Sequence, residues 1–146
     1  MSEYLYVGKS VPRTIETDKV TGRAIYIDDL KRPGMLYGKI LYSKHAHAKI
    51  KHIDKKKAEK LPGVRAVLTG YDIPDVRVGF IKDQTVLKRD VVRQFRDEVA
   101  AVAAISPEIA EEALGLIKVE YEALPAVFDP AEAMKKGAPL IHEVDA

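Results

Sequence analysis

Few residues in this chain could do chemistry, and their spacing limits what each could do. His45 and His47 are separated by one residue, so in an extended segment they point to the same side and could share a metal ion. No third ligand is suggested nearby, and Ala46 and Ala48 mark a close-packed turn, so the pair reads as structural. His52 and His142 stand alone and read as surface or satisfied core residues. Asp28-Asp29 could bind a cation, but adjacent carboxylates diverge on a strand, and a turn with capping duties fits them better. Asp97 and Glu98, preceded by Arg93 and Arg96, form a charged cluster directly before an apolar run. Such a cluster is either the rim of a site or, as the plainer account, a structural ion-pair group.

The nucleophile and phosphate motifs are missing. There is no GxGxxG, no Walker loop, no GxSxG and no HExxH, and none of the four serines has a nucleophile context. Cysteine is absent, which excludes disulfides, thiolate metal sites, iron–sulfur ligation and a cysteine nucleophile in this chain. Taken alone, the residues form no self-sufficient active site. No catalytic, cofactor-binding or metal position is assigned.

The elements that would position these residues follow from pattern. Residues 1–20 read as an extended leader with turn chemistry at Gly8 and Pro12. Residues 23–27 read as a strand, and Arg32-Pro33-Gly34 as a turn. From Met35 to Tyr42 the residues alternate, with Leu36, Gly38, Ile40 and Tyr42 on one face and Lys39 and Leu41 on the other, as in a half-buried strand. Ala48 to Ile53 predicts the next strand. Asp54 can then cap a short helix over 55–60, which Leu61-Pro62-Gly63 stops. Val64 to Thr69 predicts a buried strand, and residues 71–89 a long connection with a short strand near 84–87. The most apolar run, Val99 to Ile105, predicts a central strand. Ser106-Pro107-Glu108 starts a helix whose apolar stripe is Ala110, Ala113, Leu114 and Ile117. Lys118 to Glu122 alternates as a strand with Val119 and Tyr121 inward. Asp129-Pro130-Ala131-Glu132 opens a two-turn helix ended by Gly137.

Composition bounds the rest. The chain has 146 residues, 47% hydrophobic and 32% charged, with a net charge of +2. That length suits a single domain over 1–146 that buries about 68–70% of its unfolded surface, so disorder is not expected. The absence of both Asn and Cys, with charge high, leans towards a thermophile's composition. No apolar run approaches the ~18 residues of a membrane span, and the first residues lack a signal-peptide core, so a soluble cytoplasmic protein is expected. Residues 1–65 hold 15 Lys and Arg against 7 Asp and Glu, whereas residues 66–146 hold 9 against 15. The split suits either a nucleic-acid face or surfaces that meet different proteins. The densest basic stretch, Lys49 to Lys60, has no interleaved aromatic to stack bases, which makes nucleic acid an unfavoured partner.

Several segments together resemble the opening of molybdenum hydroxylase large subunits: the xanthine dehydrogenase, aldehyde oxidase, carbon monoxide dehydrogenase and 4-hydroxybenzoyl-CoA reductase family. They run from Lys19-Val20-Thr21-Gly22-Arg23-Ala24 through Pro33-Gly34-Met35-Leu36-Tyr37-Gly38 to Ser43 with His45-Ala46-His47-Ala48. Leu61-Pro62-Gly63-Val64, the Val99–Ala104 run, Val119-Glu120-Tyr121-Glu122, Leu124-Pro125-Ala126-Val127 and Gly137-Ala138-Pro139-Leu140 continue the series. The resemblance spans about Gly8 to His142. It implies an α+β fold, the α/β-hammerhead, with a small mixed β-sheet and two or three packed helices.

The resemblance further implies an assembly of a molybdopterin-binding large subunit, an FAD subunit and a [2Fe-2S] subunit, performing hydroxylation or dehydrogenation at carbon with water as the oxygen source. The family's pterin-binding loops and catalytic glutamate lie in later domains, so no catalytic residue transfers to this chain. Its implied role is a structural and subunit-docking domain, inactive alone. A stand-alone hammerhead module binding an anionic ligand or nucleic acid is the alternative. Two departures from the family pattern stand out: Lys44 replaces a proline before His45, and Arg96-Asp97-Glu98 replaces Gly-Glu-Pro before the Val99 strand.

Overall fold

The computed structural model describes residues 4–13, 16–80 and 82–142. The chain divides into two compact units, Met1–Pro33 and Gly34–Ala146.

In the first unit, helix α1 (Glu16–Val20) stands where an extended leader is expected. One helical turn of five residues carries no readable periodicity. It holds through local contacts: Thr21 Oγ1 donates to the Thr17 carbonyl at 2.6 Å, and Arg23 Nε lies 3.2 Å from Asp18 Oδ1. The strand expected over 23–27 does not form. The N–H groups of Arg23 and Ala24 donate to the Asp18 carbonyl, at 2.8 and 2.9 Å, and are lost to any ladder. A 3₁₀ turn follows at Ile27–Asp29, where Asp29 Oδ2 accepts the Tyr26 N–H at 3.0 Å. Asp28-Asp29 is thus part of a capped turn, as its spacing suggested.

Among the described residues the second unit contains eight strands: β1 (Tyr37–Tyr42), β2 (Ala48–Asp54), β3 (Val64–Thr69), β4 (Arg77–Val78), β5 (Gln84–Thr85), β6 (Val91–Val92), β7 (Glu98–Ala104) and β8 (Lys118–Ala123). Three helices accompany them: α2 (Lys56–Glu59), α3 (Pro107–Leu116) and α4 (Pro130–Ala133). Helices and sheets mix, and every strand pairing is antiparallel. One sheet runs β1-β7-β3, a second β6-β2-β8, and β4-β5 is a separate hairpin.

The Val99 run is the central strand of the first sheet because its two faces are both short and apolar, which lets neighbours close on either side. Its inward residues Ala100, Val102 and Ala104 meet Val67 of β3 and Ala110, Ala113 and Ile117 at the α3 stripe. Helix α3 starts as its cap chemistry predicts, with Ser106 Oγ accepting the Ile109 N–H and Pro107 at the first turn. The strands on either side of α3 belong to different sheets, β7 to the first and β8 to the second. A second cluster joins Ala48, Ile50 and Val92 of the second sheet to Val99 at the start of β7, and Ile53 and Val119 pack against both clusters.

Two bulges set which residues turn inward. In β2 the register shifts between Ile50 and His52, so Ile50 is buried, His52 faces solvent and Ile53 turns in. In β1 the covered face is the one bearing Lys39 and Leu41: Leu41 packs on the core, and Lys39 Nζ pairs with Glu111 of α3 at 3.1 Å. The opposite face, with Gly38, Ile40 and Tyr42, is open.

At α2, Asp54 Oδ1 accepts the Lys56 N–H at 3.1 Å, and the helix begins at Lys56 rather than Lys55. Gly63 then turns with φ +94°, and a Cβ there would lie 2.7 Å from Ile109 Cδ1, so this turn admits glycine alone without repacking. The last helix is one turn and not two. Asp129 Oδ1 caps Ala131 and Glu132, but the Glu132 carboxylate pairs with Lys135 at 2.6 Å instead of returning to the helix start.

Candidate functional site

Of the acidic and basic residues before the Val99 strand, Arg93 and Asp97 line a cavity, and Arg96 and Glu98 do not. Its volume is about 190 Å³, and its wall includes Arg77, Lys88, Arg89, Arg93, Asp97 and His142. The hairpin β4-β5, the segment leading into β6 and the turn before β7 position them.

Asp97 is the centre of this arrangement and is buried. Its Oδ2 accepts the backbone N–H of Arg93 at 2.6 Å and of Gln94 at 3.3 Å, closing the Gln94–Asp97 turn upon itself. Its Oδ1 lies 3.6 Å from Nζ of Lys88, which is also buried and donates to the Thr85 carbonyl at 3.1 Å. Glu98 flanks the same ammonium at 3.7 Å. A buried cation survives only when paired and hydrogen-bonded, and Lys88 is both.

The remaining cations of the wall are also engaged. Arg89 donates to the carbonyls of Gly70 (2.7 Å) and Ile73 (2.8 Å), and Arg93 Nε donates to the carbonyl of Ile141 at 2.8 Å. Asp83 lies 3.8 Å from His142 Nε2, Asp90 accepts the Tyr71 hydroxyl at 2.6 Å, and Arg77 reaches the Asp83 carbonyl at 3.5 Å. The hydrogen bond to Asp90, with burial, holds the Tyr71 hydroxyl above its ordinary range. Among the described residues, every charged group lining this cavity has a partner within the chain. The plainer reading of Asp97 and Glu98, a structural ion-pair group, is the one the geometry matches.

Arg96 sits at the top of the same turn with φ +70°, in the left-handed region where side chains are strained. Its N–H donates to the Ser43 carbonyl (3.1 Å) and the Ser43 N–H to the Asp97 carbonyl (2.8 Å), so the turn is stitched to the end of β1. The guanidinium lies 4.9 Å over the Tyr42 ring. The departure at Arg96-Asp97-Glu98 therefore keeps a backbone shape suited to glycine while carrying an arginine.

His45 and His47 are not aimed at a common point. The His45 ring packs against Tyr121, tilted by 45° with 4.7 Å between centroids, and His47 Nδ1 lies 2.7 Å from the carbonyl of Pro125. Ser43 Oγ accepts the His45 N–H at 3.0 Å, which makes this segment the tight turn that Ala46 and Ala48 suggested. Among the described residues no group of three or more His, Cys, Asp or Glu is arranged to hold a metal ion.

The basic stretch is divided by the fold. Lys55, one of the three consecutive lysines, is half-buried and ion-paired with Asp72 (2.8 Å) and Glu59 (3.2 Å), and it donates to the Val67 carbonyl. The Lys55 ammonium, with hydrogen bonds from Thr69 N–H and Oγ1, lowers the Asp72 carboxyl to about 2 against the opposing pull of burial. Lys51 pairs with Glu122 at 2.7 Å, and this partner holds the Glu122 carboxyl below its ordinary value. A cationic surface built on Lys49–Lys60 thus loses two of its lysines to internal pairs.

Lys88 and Ser43, both buried polar residues of this site, carried no signal as functional positions. Lys88 lies in the weakly patterned connection, and Ser43 stood only within the family-like segment. What singles them out is burial beside a carboxylate or a turn, which is a three-dimensional property.

Residues 21–125 match the family described as "Aldehyde oxidase and xanthine dehydrogenase, a/b hammerhead domain". The chain is 50% identical over 127 residues to a probable xanthine dehydrogenase component of Bacillus subtilis, covering 86% of this chain and 17% of that protein. It is 43% identical over 127 residues to a carbon monoxide dehydrogenase large chain of Afipia carboxidovorans, covering 84% and 16% respectively. The fold superposes on an aldehyde oxidoreductase from Desulfovibrio desulfuricans with a TM-score of 0.85 at 33% identity, over 92% of this chain and 16% of that one. The chain spans about a sixth of the length of these relatives.

Proposed function

Because the chain belongs to the aldehyde oxidase and xanthine dehydrogenase family, as its a/b hammerhead domain, we propose that it is a packing and subunit-docking domain of a molybdopterin-dependent oxidoreductase large subunit. In this reading residues 1–146 act as one domain, joined to the pterin-binding domains in one polypeptide or supplied as a split-gene subunit. The whole assembly, with an iron–sulfur subunit and an FAD subunit, would hydroxylate or dehydrogenate a carbon centre in the cytoplasm.

The observation that carries the non-catalytic role is the closure of the cavity's charge network. A catalytic acid, base or anion clamp needs a group whose partner is the substrate. Here Lys88 is committed to Asp97 and Thr85, Arg89 to Gly70 and Ile73, and Arg93 to Ile141. The iron–sulfur centres of the proposed assembly do not fit this chain's residues either. Iron–sulfur ligation needs thiolates and the chain has no cysteine, and the described residues include no cluster of three metal-ligating side chains. Iron–sulfur chemistry is accordingly assigned to other polypeptide, and the proposal places the molybdenum and flavin sites there with it.

Exposed apolar groups support a docking role. Phe80 is fully exposed beside the β4-β5 hairpin, and Phe95 and Phe128 are largely exposed. The alternative, a cationic binding module, is not favoured, since Lys51 and Lys55 are spent on internal pairs.

The test is metal and chromophore analysis of the purified chain, alone and after co-expression with the other subunits. Expressed alone, it should carry no stoichiometric molybdenum, show no flavin or iron–sulfur absorbance, and turn over neither xanthine nor an aldehyde. In co-expression a tag on it should bring down the molybdopterin-bearing polypeptide. Stoichiometric molybdenum or turnover in the chain alone overturns the proposal.

A further inference from the structure

The face of the first sheet that turns away from α3 is unusually apolar for a surface. Cross-strand partners lie on the same face, and two rows define this one: Ile40–Ala101–Leu68 and Gly38–Ala103–Ala66. Neither row holds a charge or a hydrogen-bonding side chain. Ile40 and Leu68 are each 40% exposed, and nothing lies within 4 Å of the position a Cβ would take at Gly38. A sheet that met only water there would alternate apolar inside with polar outside. The opposite face does carry a hydrophilic residue, Lys39, although α3 covers it, and the open face carries none in these rows.

The sheet's two edges are treated differently from its face. The register of edge strand β3 shifts between Val64 and Ala66, so Arg65 falls in a bulge, and edge strand β1 carries Lys39. Bulges and cations on edge strands discourage strand addition. A partner is therefore admitted to the face rather than the edge. Two bulky side chains flanking Ala101, beside a row made only of Gly38, Ala103 and Ala66, form a shallow trough that can seat a convex element.

The geometry points to this face as the seat of the remaining part of the large subunit, the pterin-bearing polypeptide that makes up about five-sixths of the relatives. The inference rests on the docking reading above and names its surface. Apolar, uncharged faces belong to permanent partners, whose interfaces resemble a domain core cut in half. In the relatives this region and the rest of the large chain are one polypeptide, so the two are held at high effective concentration. Two rows without charge, bordered at one end by Arg96 over Tyr42, suit such a partner better than a dissociable subunit, whose interface keeps a more polar character.

Because the chain has no cysteine, a single engineered thiol reports on one position at a time. Ala66→Cys places it on the open face, and Glu112→Cys places it on α3, on the other side of the sheet. Each tagged variant is labelled with a maleimide alone and in complex with the remaining large-chain polypeptide of the Bacillus subtilis relative, co-expressed with it. The expected result is at least tenfold slower labelling of Ala66→Cys in the complex, with the Glu112→Cys rate unchanged. A complex in which Ala66→Cys labels as fast as in the free chain overturns the face and leaves the docking reading standing. Equal protection of both thiols also overturns the face. Slow labelling of Ala66→Cys in the free chain overturns the named occupant: twice the chain's mass makes a second copy the cover, and recovery on deleting residues 1–33 makes it the chain's own first unit. Failure of the polypeptides to co-purify overturns the docking reading and the inference together. A second variant, Ala66→Arg, should lower the co-purified yield at least tenfold with the melting temperature of the free chain unchanged; an unchanged yield overturns the face.

Discussion

Lys88 Nζ lies 3.6 Å from Asp97 Oδ1, with both side chains almost fully withdrawn from water. The pair joins the segment before β6 to the turn before β7, and Asp97 also holds that turn by accepting the N–H groups of Arg93 and Gln94. Removing one member of such a pair leaves the other charged and desolvated, which is more damaging than the pair itself is stabilising. Asp97→Ala should therefore cost about 3–5 kcal/mol in urea unfolding. Asp97→Asn leaves the same ammonium without a counter-charge but keeps an acceptor for the two amides, so it should cost less by the worth of those hydrogen bonds. Equal losses in the two variants would mean that the amide contacts, and not the charge, are dispensable.

Asp72 makes the fold sensitive to acid. Its carboxyl falls from 3.8 to about 2 in the folded chain, chiefly through Lys55, so the folded state binds its proton less readily than the unfolded state does. The associated stability is fully present above about pH 4 and is lost as pH falls through about 2. Partial exposure screens the pair, which brings the contribution to about 1–2 kcal/mol. Unfolding curves between pH 6 and pH 2 should show the wild-type chain losing this increment and Asp72→Asn lacking it throughout.

Two left-handed glycines should separate steric from backbone cost. Gly79→Ala, at φ +88° with no atom within 4 Å, should lose only the backbone preference, about 1–2 kcal/mol. Gly63→Ala adds a Cβ at 2.7 Å from Ile109 Cδ1 and 3.1 Å from Ile105 Cγ1. It should cost about 2–4 kcal/mol, the overpacking adding to the same backbone strain. Calorimetric melting of the two variants checks the order.

Arg96 should reverse the usual ranking of alanine over glycine. At φ +70° alanine keeps the strain and loses the stacking on Tyr42, whereas glycine removes the strain. Arg96→Gly should melt above Arg96→Ala by about 1 kcal/mol in equivalent stability. The opposite order would show that the left-handed turn is not retained.

What could be read from the sequence depended on the range of the interactions involved. The core strand at Val99 and the α3 start at Ser106 were legible because hydrophobic runs and cap chemistry are written in adjacent residues. Leu41 facing inward while Ile40 faces out was not, since alternation gives two faces but does not say which one a helix will cover. The capped turn at Asp28-Asp29 was legible, but helix α1 and the failure of the 23–27 strand were not, because the Asp18 carbonyl takes up the N–H groups of Arg23 and Ala24 and so competes with the strand pattern of those residues. At the site, Asp97 and Arg93 were visible as charges, but Lys88 was not. Its role exists only because two segments that are distant along a hairpin meet.

Val99 belongs to one hydrophobic cluster, and Ala100, its neighbour on the same strand, belongs to the other. Ile53 and Val119 bridge the two from the second sheet. Both clusters draw on adjacent residues of the central strand of the first sheet, so displacing that strand disturbs the two together. The amides of β7 should therefore be among the slowest of the second unit to exchange with solvent.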